Sequence, residues 1–307
     1  MRLALVGTGA MGERIGRRLL AAGHELAVFN RTEARALPLM RAGAGVAATP
    51  RAAAARAEVV ITMLADPAAV RAMALGRDGF LAALRRGDLW IDMSTVGPAD
   101  SRELARAAGE RGVRMLDAPV SGSLMAAEQG TLVLLVGGAA EDVSAAKPLF
   151  DVLSRAALHL GPSGAGSAAK LVVNAFLCTT MLAATEAVRL GASVGFAAGD
   201  ILALLRSTET APAWAVAKLE ELTAGWPEPA FALKLADKDL GLVAALAADG
   251  ELDLPLVEAV RRVFAMALAE GRGAADFSVA GLPFALPIAR NDESAAADGG
   301  PERGGPR

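Results

Sequence analysis

The sequence predicts an α/β protein in which a doubly wound, parallel sheet is followed by an all-helical C-terminal domain. Three observations lead to this class. Short apolar runs alternate with helical stretches over residues 1–160, the alternation stops at the loop 161–164, and one long apolar helical pattern follows from Ala165 to about Gly191. The length of 307 residues also favours two domains.

The first strand, turn and helix indicate what the sheet binds. Residues 3–6 form a buried strand, and the turn that follows it opens a helix ending at Gly23; the turn reads Gly7-Thr8-Gly9-Ala10-Met11-Gly12. This G-x-G-x-x-G spacing between strand and helix is typical of a dinucleotide site. Gly7 permits the turn, Gly9 lets a pyrophosphate approach the backbone, and Gly12 lets helix and strand pack closely. A turn without a ligand is the alternative.

Further apolar runs predict the remaining strands, with helical stretches such as 100–111 between them. These runs lie at residues 25–29, 59–64, 89–93, 113–116, 132–136 and 157–160. We therefore predict a Rossmann-type, NADP-binding domain over 1–163 and an all-helical substrate and oligomerisation domain over 164–290, joined by the long helix. The tail 291–307 is rich in Gly, Pro, Glu and Arg, and we expect it to be disordered.

The residues after the second strand bear on the choice of cofactor. An NAD site usually presents an acidic side chain here for the ribose 2′-hydroxyl, whereas this chain has Asn30-Arg31-Thr32. The Arg31 guanidinium suits a 2′-phosphate, and Asn30 and Thr32 add hydrogen-bonding groups. NADP(H) is therefore favoured over NAD(H), although a solvated loop arginine is the alternative. Thr32 also resembles the N-cap of the next helix.

Composition excludes several other classes. The net charge is −3, from 31 basic and 34 acidic residues without a long run of either sign, so we expect no nucleic-acid or membrane partner. We expect no stretch long and apolar enough to span a bilayer. Cys178 is the only cysteine, which excludes an internal disulfide and a cysteine-cluster metal site, and a cytoplasmic location fits. No metal is expected.

Few side chains remain for proton transfer. The chain has no tyrosine, so a tyrosine proton donor is excluded, and its five lysines are Lys147, Lys170, Lys218, Lys234 and Lys238. Lys170 and Asn174 lie four residues apart, hence on one face of the long apolar helix. Burial there would lower the pKa of Lys170 and suit a general acid. A lysine that extends from the helix to solvent is the alternative.

Seven ordered motifs together resemble one enzyme family. They are 7–12, 30–32, 61–64 (Ile-Thr-Met-Leu), 91–95 (Ile-Asp-Met-Ser-Thr), 117–122 (Asp-Ala-Pro-Val-Ser-Gly), 164–166 with Lys170 and Asn174, and 238–240 (Lys-Asp-Leu). The chain up to the tail is similar to the β-hydroxyacid dehydrogenases, which include 3-hydroxyisobutyrate dehydrogenase and tartronate semialdehyde reductase. Residues 30–32, 121–123 and 229–234 most resemble the glyoxylate/succinic semialdehyde reductase branch.

The resemblance implies roles for particular residues. Lys170 corresponds to the catalytic lysine of the family. Substrate-binding positions fall on Ser121, Gly122, Ser123, Asn174 and Asp239, and Phe231 is a candidate cover for the substrate. Cofactor-binding positions outside 7–12 and 30–32 fall on Met63, Leu64, Ala65, Thr95 and Lys238. Many members have glycine where Ser123 stands, a departure that narrows the pocket or adds a hydrogen bond.

The resemblance implies NADPH-dependent reduction of a small aldehyde acid, with glyoxylate and succinic semialdehyde as the first substrates to try. Three alternatives stay open: a 3-hydroxyisobutyrate or tartronate semialdehyde type dehydrogenase, an imine reductase, and a catalytically silent NADP-binding subunit. The presence of Lys170 counts against the second, and that of Lys170 and Asn174 against the third. The apolar helical domain predicts a homodimer or homotetramer.

Overall fold

The computed structural model describes residues 1–208, 210–225 and 229–281. Its contacts define two compact units, of which the first comprises 1–182 and 229–280 and the second 183–208, 210–225 and 281. The helices from residue 229 onward thus group with the sheet, although they follow the predicted boundary at 163. The tail 291–307, for which we predict disorder, lies outside the described residues.

The first unit contains a sheet of the predicted type. Within the described residues its strands are β1 Arg2–Val6, β2 Glu25–Phe29, β3 Gly45–Val46, β4 Val59–Thr62, β5 Leu89–Asp92, β6 Arg114–Asp117, β7 Val120–Ser121, β8 Leu132–Gly137 and β9 Ser154–Gly161. Their order is β3-β2-β1-β4-β5-β6-β8-β7, and β9 pairs with β8. The strand order reverses on either side of β1, so the fold class is confirmed.

Two strands and one direction differ from the prediction. β3 and β7 have two residues each, too few to show a period of two in the sequence. β8 runs antiparallel to β6 and β7, while β9 runs parallel to β8. The antiparallel pairing of β7 with β8 fits the connection 122–131 between them, because a parallel crossover needs a dozen or more residues.

The helices connect the strands and follow them. They are α1 Ala10–Ala21, α2 Leu37–Arg41, α3 Pro50–Ala54, α4 Pro67–Leu75, α5 Pro98–Gly109, α6 Leu124–Gln129, α7 Ala140–Leu153, α8 Ala165–Ser193, α9 Ala198–Ser207, α10 Ala213–Ala224, α11 Leu233–Asp249 and α12 Pro255–Ala269. The predicted cap at Thr32 is wrong. Its side chain accepts no capping hydrogen bond, and the 3₁₀ turn Glu33–Arg35 follows it rather than an α-helix.

Both faces of the sheet are covered. Leu3 and Leu5 of β1 pack in one apolar cluster, while Ala4 and Val6 pack in another that contains Trp90. Successive side chains of a strand point to opposite faces, so burial of both sets requires helices on both sides. Because both faces of the sheet are buried, its strands appear in the sequence as continuous apolar runs.

The long helix α8 has 29 residues, and an 18-residue window within it has a mean hydropathy of 1.6. By length and composition it is the one helix of the described residues that is apolar enough to cross a membrane, so the expectation that no stretch would qualify is wrong. Of the qualifying window, 44% is buried in the protein, and the core helix of a soluble protein meets the same criterion.

Candidate active site

The glycine turn is built by close contacts between backbone segments. Gly7 has a φ of +102°, and a Cβ there would lie 2.2 Å from the carbonyl oxygen of Met63. A Cβ on Gly12 would lie 2.1 Å from the carbonyl oxygen of Gly7. Side chains at these two positions are excluded by backbone atoms that cannot rotate away. Gly12 therefore maintains the contact between α1 and the turn after β1, and Gly7 maintains the contact between that turn and the segment after β4.

Gly9 differs from its neighbours because no atom lies within 4 Å of the position that its Cβ would take. It is the N-cap of α1, whose first-turn N–H groups have no acceptor within the helix. Open space beside these N–H groups fits a pyrophosphate. The turn therefore fits a dinucleotide, with Thr8, Ala10 and Met11 on either side of Gly9.

Asn30 ties this turn to the loop after β2. Its Oδ1 accepts a hydrogen bond from the Thr8 N–H at 3.0 Å, and its Nδ2 donates to the Thr32 carbonyl oxygen at 2.9 Å. Asn30 therefore orders the loop from within the protein. The Arg31 side chain is exposed, and among the described residues it has no hydrogen-bond or ion-pair partner.

A buried polar network, which the sequence pattern did not indicate, lies under the ends of β4 and β5. Asp92 Oδ1 accepts hydrogen bonds from Thr62 Oγ1 at 2.7 Å and from the Ser94 N–H at 3.1 Å. Ser94 Oγ in turn accepts from the Leu64 N–H at 2.9 Å. Burial raises the pKa of Asp92 to about 6. The network connects the segments that carry two groups of predicted cofactor contacts, Met63-Leu64-Ala65 and Thr95.

Asp117 holds the start of α8. Its Oδ1 accepts from the Gly164 N–H and its Oδ2 from the Ser167 N–H, both at 2.8 Å. Both oxygens thus satisfy N–H groups at the helix N-terminus. A Cβ on Gly166 would lie 2.1 Å from the Leu135 carbonyl oxygen, so the helix begins in direct backbone contact with the sheet. These contacts position Lys170, one turn further along.

Five predicted residues come together where α8 and α11 meet the segment after β5. Asn174 Nδ2 donates to Asp239 Oδ2 at 2.5 Å, and Lys238 Nζ lies 2.6 Å from Asp239 Oδ1. Lys238 Nζ also donates to the Thr95 carbonyl oxygen at 2.7 Å, which joins α11 to the end of β5. The buried Asn174 Oδ1 has no hydrogen-bond donor among the described residues.

Lys170 also belongs to this cluster, and both burial and a neighbouring charge affect its pKa. Burial lowers its pKa, and the charge of Asp239 acts in the opposite direction. Burial also raises the pKa of Asp239, against the influence of Lys238, Lys170 and Asn174. A lysine whose pKa is lowered toward neutrality can both release and accept a proton in solution. The cluster therefore has the chemistry of a general acid and base.

The loop 121–123 leads from β7 into α6. β7 ends at Ser121, Gly122 has a φ of +137°, and Ser123 caps α6 by accepting from the Ala126 N–H at 3.2 Å. A helix cap explains a serine at 123, and this hydroxyl is already used within the protein. Ser121 and Gly122 line an open groove beside β8 and β9.

Phe231 precedes α11 and packs against Phe277, with ring centroids 5.5 Å apart. The structure therefore gives this side chain an aromatic core contact. No cluster of three or more His, Cys, Asp or Glu side chains that could hold a metal occurs in the described residues.

Comparison with known proteins identifies both halves of the chain. Residues 2–161 match the family model described as the NAD binding domain of 6-phosphogluconate dehydrogenase, and residues 164–281 match the NAD-binding domain of NADP-dependent 3-hydroxyisobutyrate dehydrogenase. The NAD-dependent L-serine dehydrogenase of Pseudomonas aeruginosa is 36% identical, over 91% of this chain and 96% of that protein.

Two further proteins are similar over most of their length. Glyoxylate/succinic semialdehyde reductase 1 of Arabidopsis thaliana is 31% identical, over 91% of this chain and 96% of that protein. The structure of Mycobacterium tuberculosis 3-hydroxyisobutyrate dehydrogenase with L-serine has a TM-score of 0.80 and 31% identity, and covers 91% of this chain and 97% of its own. The chain therefore belongs to the β-hydroxyacid dehydrogenase family of NAD(P)-dependent oxidoreductases.

Proposed function

We propose that this protein is an NADPH-dependent reductase of a small aldehyde acid, such as glyoxylate or succinic semialdehyde, with Lys170 as the general acid. The observation that carries the proposal is the cluster of Lys170 and Asn174 on α8 with Asp239 on α11. Similarity to the plant glyoxylate/succinic semialdehyde reductase supports the substrate class.

The proton chemistry follows from the state of Lys170. A bound nicotinamide supplies hydride to the aldehyde carbon or accepts it from the alcohol. In reduction, the Lys170 ammonium donates a proton to the carbonyl oxygen, which becomes a hydroxyl group. In oxidation, the neutral Lys170 amine accepts the hydroxyl proton. The lowered pKa of Lys170 favours this second role by populating the neutral amine.

Asn174 is the second substrate-binding group of the proposal. Its Nδ2 is held by Asp239, and therefore its buried Oδ1 is the atom left for a ligand. A buried carbonyl oxygen without a donor is costly, and an N–H or O–H donor of a bound ligand would satisfy it. Ser121 and Gly122 are proposed to bind the substrate carboxylate through hydroxyl and backbone N–H groups.

The preference for NADP(H) is part of the proposal. Arg31 lies directly after β2, and its unpaired, exposed guanidinium is available for a 2′-phosphate. We expect NADPH to give the higher kcat/KM with wild-type protein, and Arg31→Ala to remove that preference. A wild-type preference for NADH would contradict this choice of cofactor.

A substrate panel tests the reaction class. Oxidation of NADPH and NADH is followed with glyoxylate, succinic semialdehyde, tartronate semialdehyde, methylmalonate semialdehyde and a cyclic imine, and the reverse reaction is followed with L-serine and 3-hydroxyisobutyrate. We expect the highest kcat/KM with glyoxylate or succinic semialdehyde. A preference for another aldehyde acid or for L-serine would reassign the substrate. A preference for the imine, or no turnover at all, would overturn the proposal.

We also propose that the protein forms a homodimer or homotetramer. Val172 and Phe176 lie four residues apart on α8, and their side chains are 67% and 64% exposed. Exposed apolar side chains on one helix face favour association. Light scattering should give two or four times the chain mass of 31.2 kDa, and a monomer mass would contradict the proposal.

A further inference from the structure

A groove of about 410 Å³ lies beside the proposed carboxylate-binding turn. It is lined by Ser121, Gly122, Ala126, Thr131, Val133 and Arg155. Ser121 and Val133 are paired across β7 and β8, so their side chains lie on one face of the sheet. The groove thus extends from the turn along that face toward the first residues of β9.

Arg155 is the one charged residue among those that line the groove. Its side chain is exposed, and it has no hydrogen-bond or ion-pair partner in the described residues. Many other arginines of this unit do have partners: Arg14 pairs with Glu128, and Arg18 donates to the Val152 carbonyl oxygen. The free guanidinium beside a polar turn gives the groove two separate groups that favour anions.

We propose that Arg155 binds a second anionic group of the substrate, so that a substrate with two acidic groups is preferred over an otherwise matched substrate with one. This inference rests on the proposed function, in which Ser121 and Gly122 bind the carboxylate next to the reacting carbon. The extension of the groove from this turn gives room for a second acidic group, and no acidic side chain lines it. The substrates that meet this condition are 3-hydroxy acids, or the matching aldehyde acids, with a carboxyalkyl substituent.

Two hydroxy acids differ in this one feature and serve as probes. 3-Hydroxyisobutyrate has a methyl group on carbon 2, and 2-(hydroxymethyl)glutarate has a 2-carboxyethyl group on the same carbon. The readout is the ratio of their kcat/KM values, dicarboxylate over monocarboxylate, in oxidation with NADP⁺. We expect this ratio to exceed one in the wild-type protein.

Arg155→Ala should lower the ratio by between about tenfold and a hundredfold, mainly through the KM of the dicarboxylate. Arg155→Lys keeps the charge but lacks the planar guanidinium group, and it should lower the ratio less than Arg155→Ala does. Arg111→Ala is the matched control, because Arg111 is also exposed but precedes β6, whose first residue lies at the opposite end of the strands from the first residues of β9. If Arg155→Ala does not fold, Arg155→Gln replaces it in the comparison.

The outcomes separate this inference from the proposed function. A wild-type ratio in folded Arg155→Ala or Arg155→Gln would overturn the role of Arg155. Oxidation of 3-hydroxyisobutyrate without oxidation of the dicarboxylate would also overturn it, while leaving the proposed reaction intact. No oxidation of either acid, together with no turnover in the aldehyde panel, would overturn both.

Discussion

The two ends of the candidate site are built in different ways. At the cofactor end, Gly7 and Gly12 exclude side chains so that backbone segments touch. At the reaction end, Lys170, Asn174, Lys238 and Asp239 meet through charge and hydrogen bonds. The first end depends on backbone shape, with Gly12 against Gly7 in the same turn and Gly7 against Met63 after β4. The second depends on contacts between α8 and α11, with 65 residues separating Asn174 from Asp239.

This difference separates binding from chemistry. A backbone turn can accept a phosphate without any titratable group, and so its affinity should be insensitive to the protonation of side chains. A buried lysine near a carboxylate changes its protonation with small changes in its surroundings. Substitutions at the first end should therefore alter stability and cofactor affinity, and substitutions at the second should alter rate and pH dependence.

Among substitutions that keep Lys170, the largest expected effect is at the glycine turn. Gly12→Ala forces a Cβ against the Gly7 carbonyl oxygen, whereas Gly9→Ala meets nothing within the protein. Gly12→Ala should lower the Tm by at least about 4 °C. Gly9→Ala should leave the Tm of the cofactor-free protein near wild type but weaken NADPH binding by at least about tenfold, seen as a smaller ligand-induced rise in Tm. Equal effects of the two substitutions would break the assignment of a structural role to Gly12 and a cofactor role to Gly9.

A smaller effect is expected at the reaction end. The negative charge of Asp239 raises the pKa of Lys170, so Asp239→Asn should lower that pKa further. In the oxidation direction, activity requires the neutral amine, and the rising limb of kcat against pH should therefore move to lower pH. Asp237→Asn, two residues away, is the control and should keep the wild-type limb. A shift to higher pH would contradict the proposed coupling between Asp239 and Lys170.

The smallest effect is expected from Asp92, which lies between the two ends. Its pKa rises from 3.8 to about 6 on folding, so the protonated form favours the folded state. This contribution is complete below about pH 4 and is lost as the pH rises through about 6. From about pH 4 to pH 8, the free energy of unfolding should fall by up to about 3 kcal/mol more in the wild type than in Asp92→Asn.

Denaturant unfolding at both pH values measures this difference. Asp78→Asn, at an exposed position, is the control and should follow the wild type at both pH values. An equal pH dependence in the wild type and Asp92→Asn would show that Asp92 does not titrate as its burial requires.

The sequence was sufficient for features that depend on local patterns. The glycine turn, the buried parallel strands and the one-face spacing of Lys170 and Asn174 each follow from residues close together in the chain. The two-residue strands β3 and β7 have no such pattern, and the antiparallel direction of β8 depends on pairing across the sheet.

The roles of the buried carboxylates could not be predicted for the same reason, because they also depend on residues distant in the chain. Asp92 and Asp117 both lie within motifs that were recognised, but nothing in the sequence distinguishes a carboxylate under the sheet edge from one that caps a distant helix. Their roles depend on partners up to 50 residues away. The only sequence signal for the cap at Asp117 is the order of the elements. An acidic residue ends a strand, and a glycine-rich loop followed by an apolar helix occurs later in the chain.

The central claim is that Lys170 performs proton transfer and leaves cofactor binding to the glycine turn. Lys170→Met keeps an unbranched apolar stem, and Asp239 keeps its ion pair with Lys238. We predict that this variant binds NADPH with a Kd near wild type, while kcat for aldehyde reduction falls by about a hundredfold to ten thousandfold. A folded Lys170→Met that reduces the aldehyde at the wild-type rate would contradict the account.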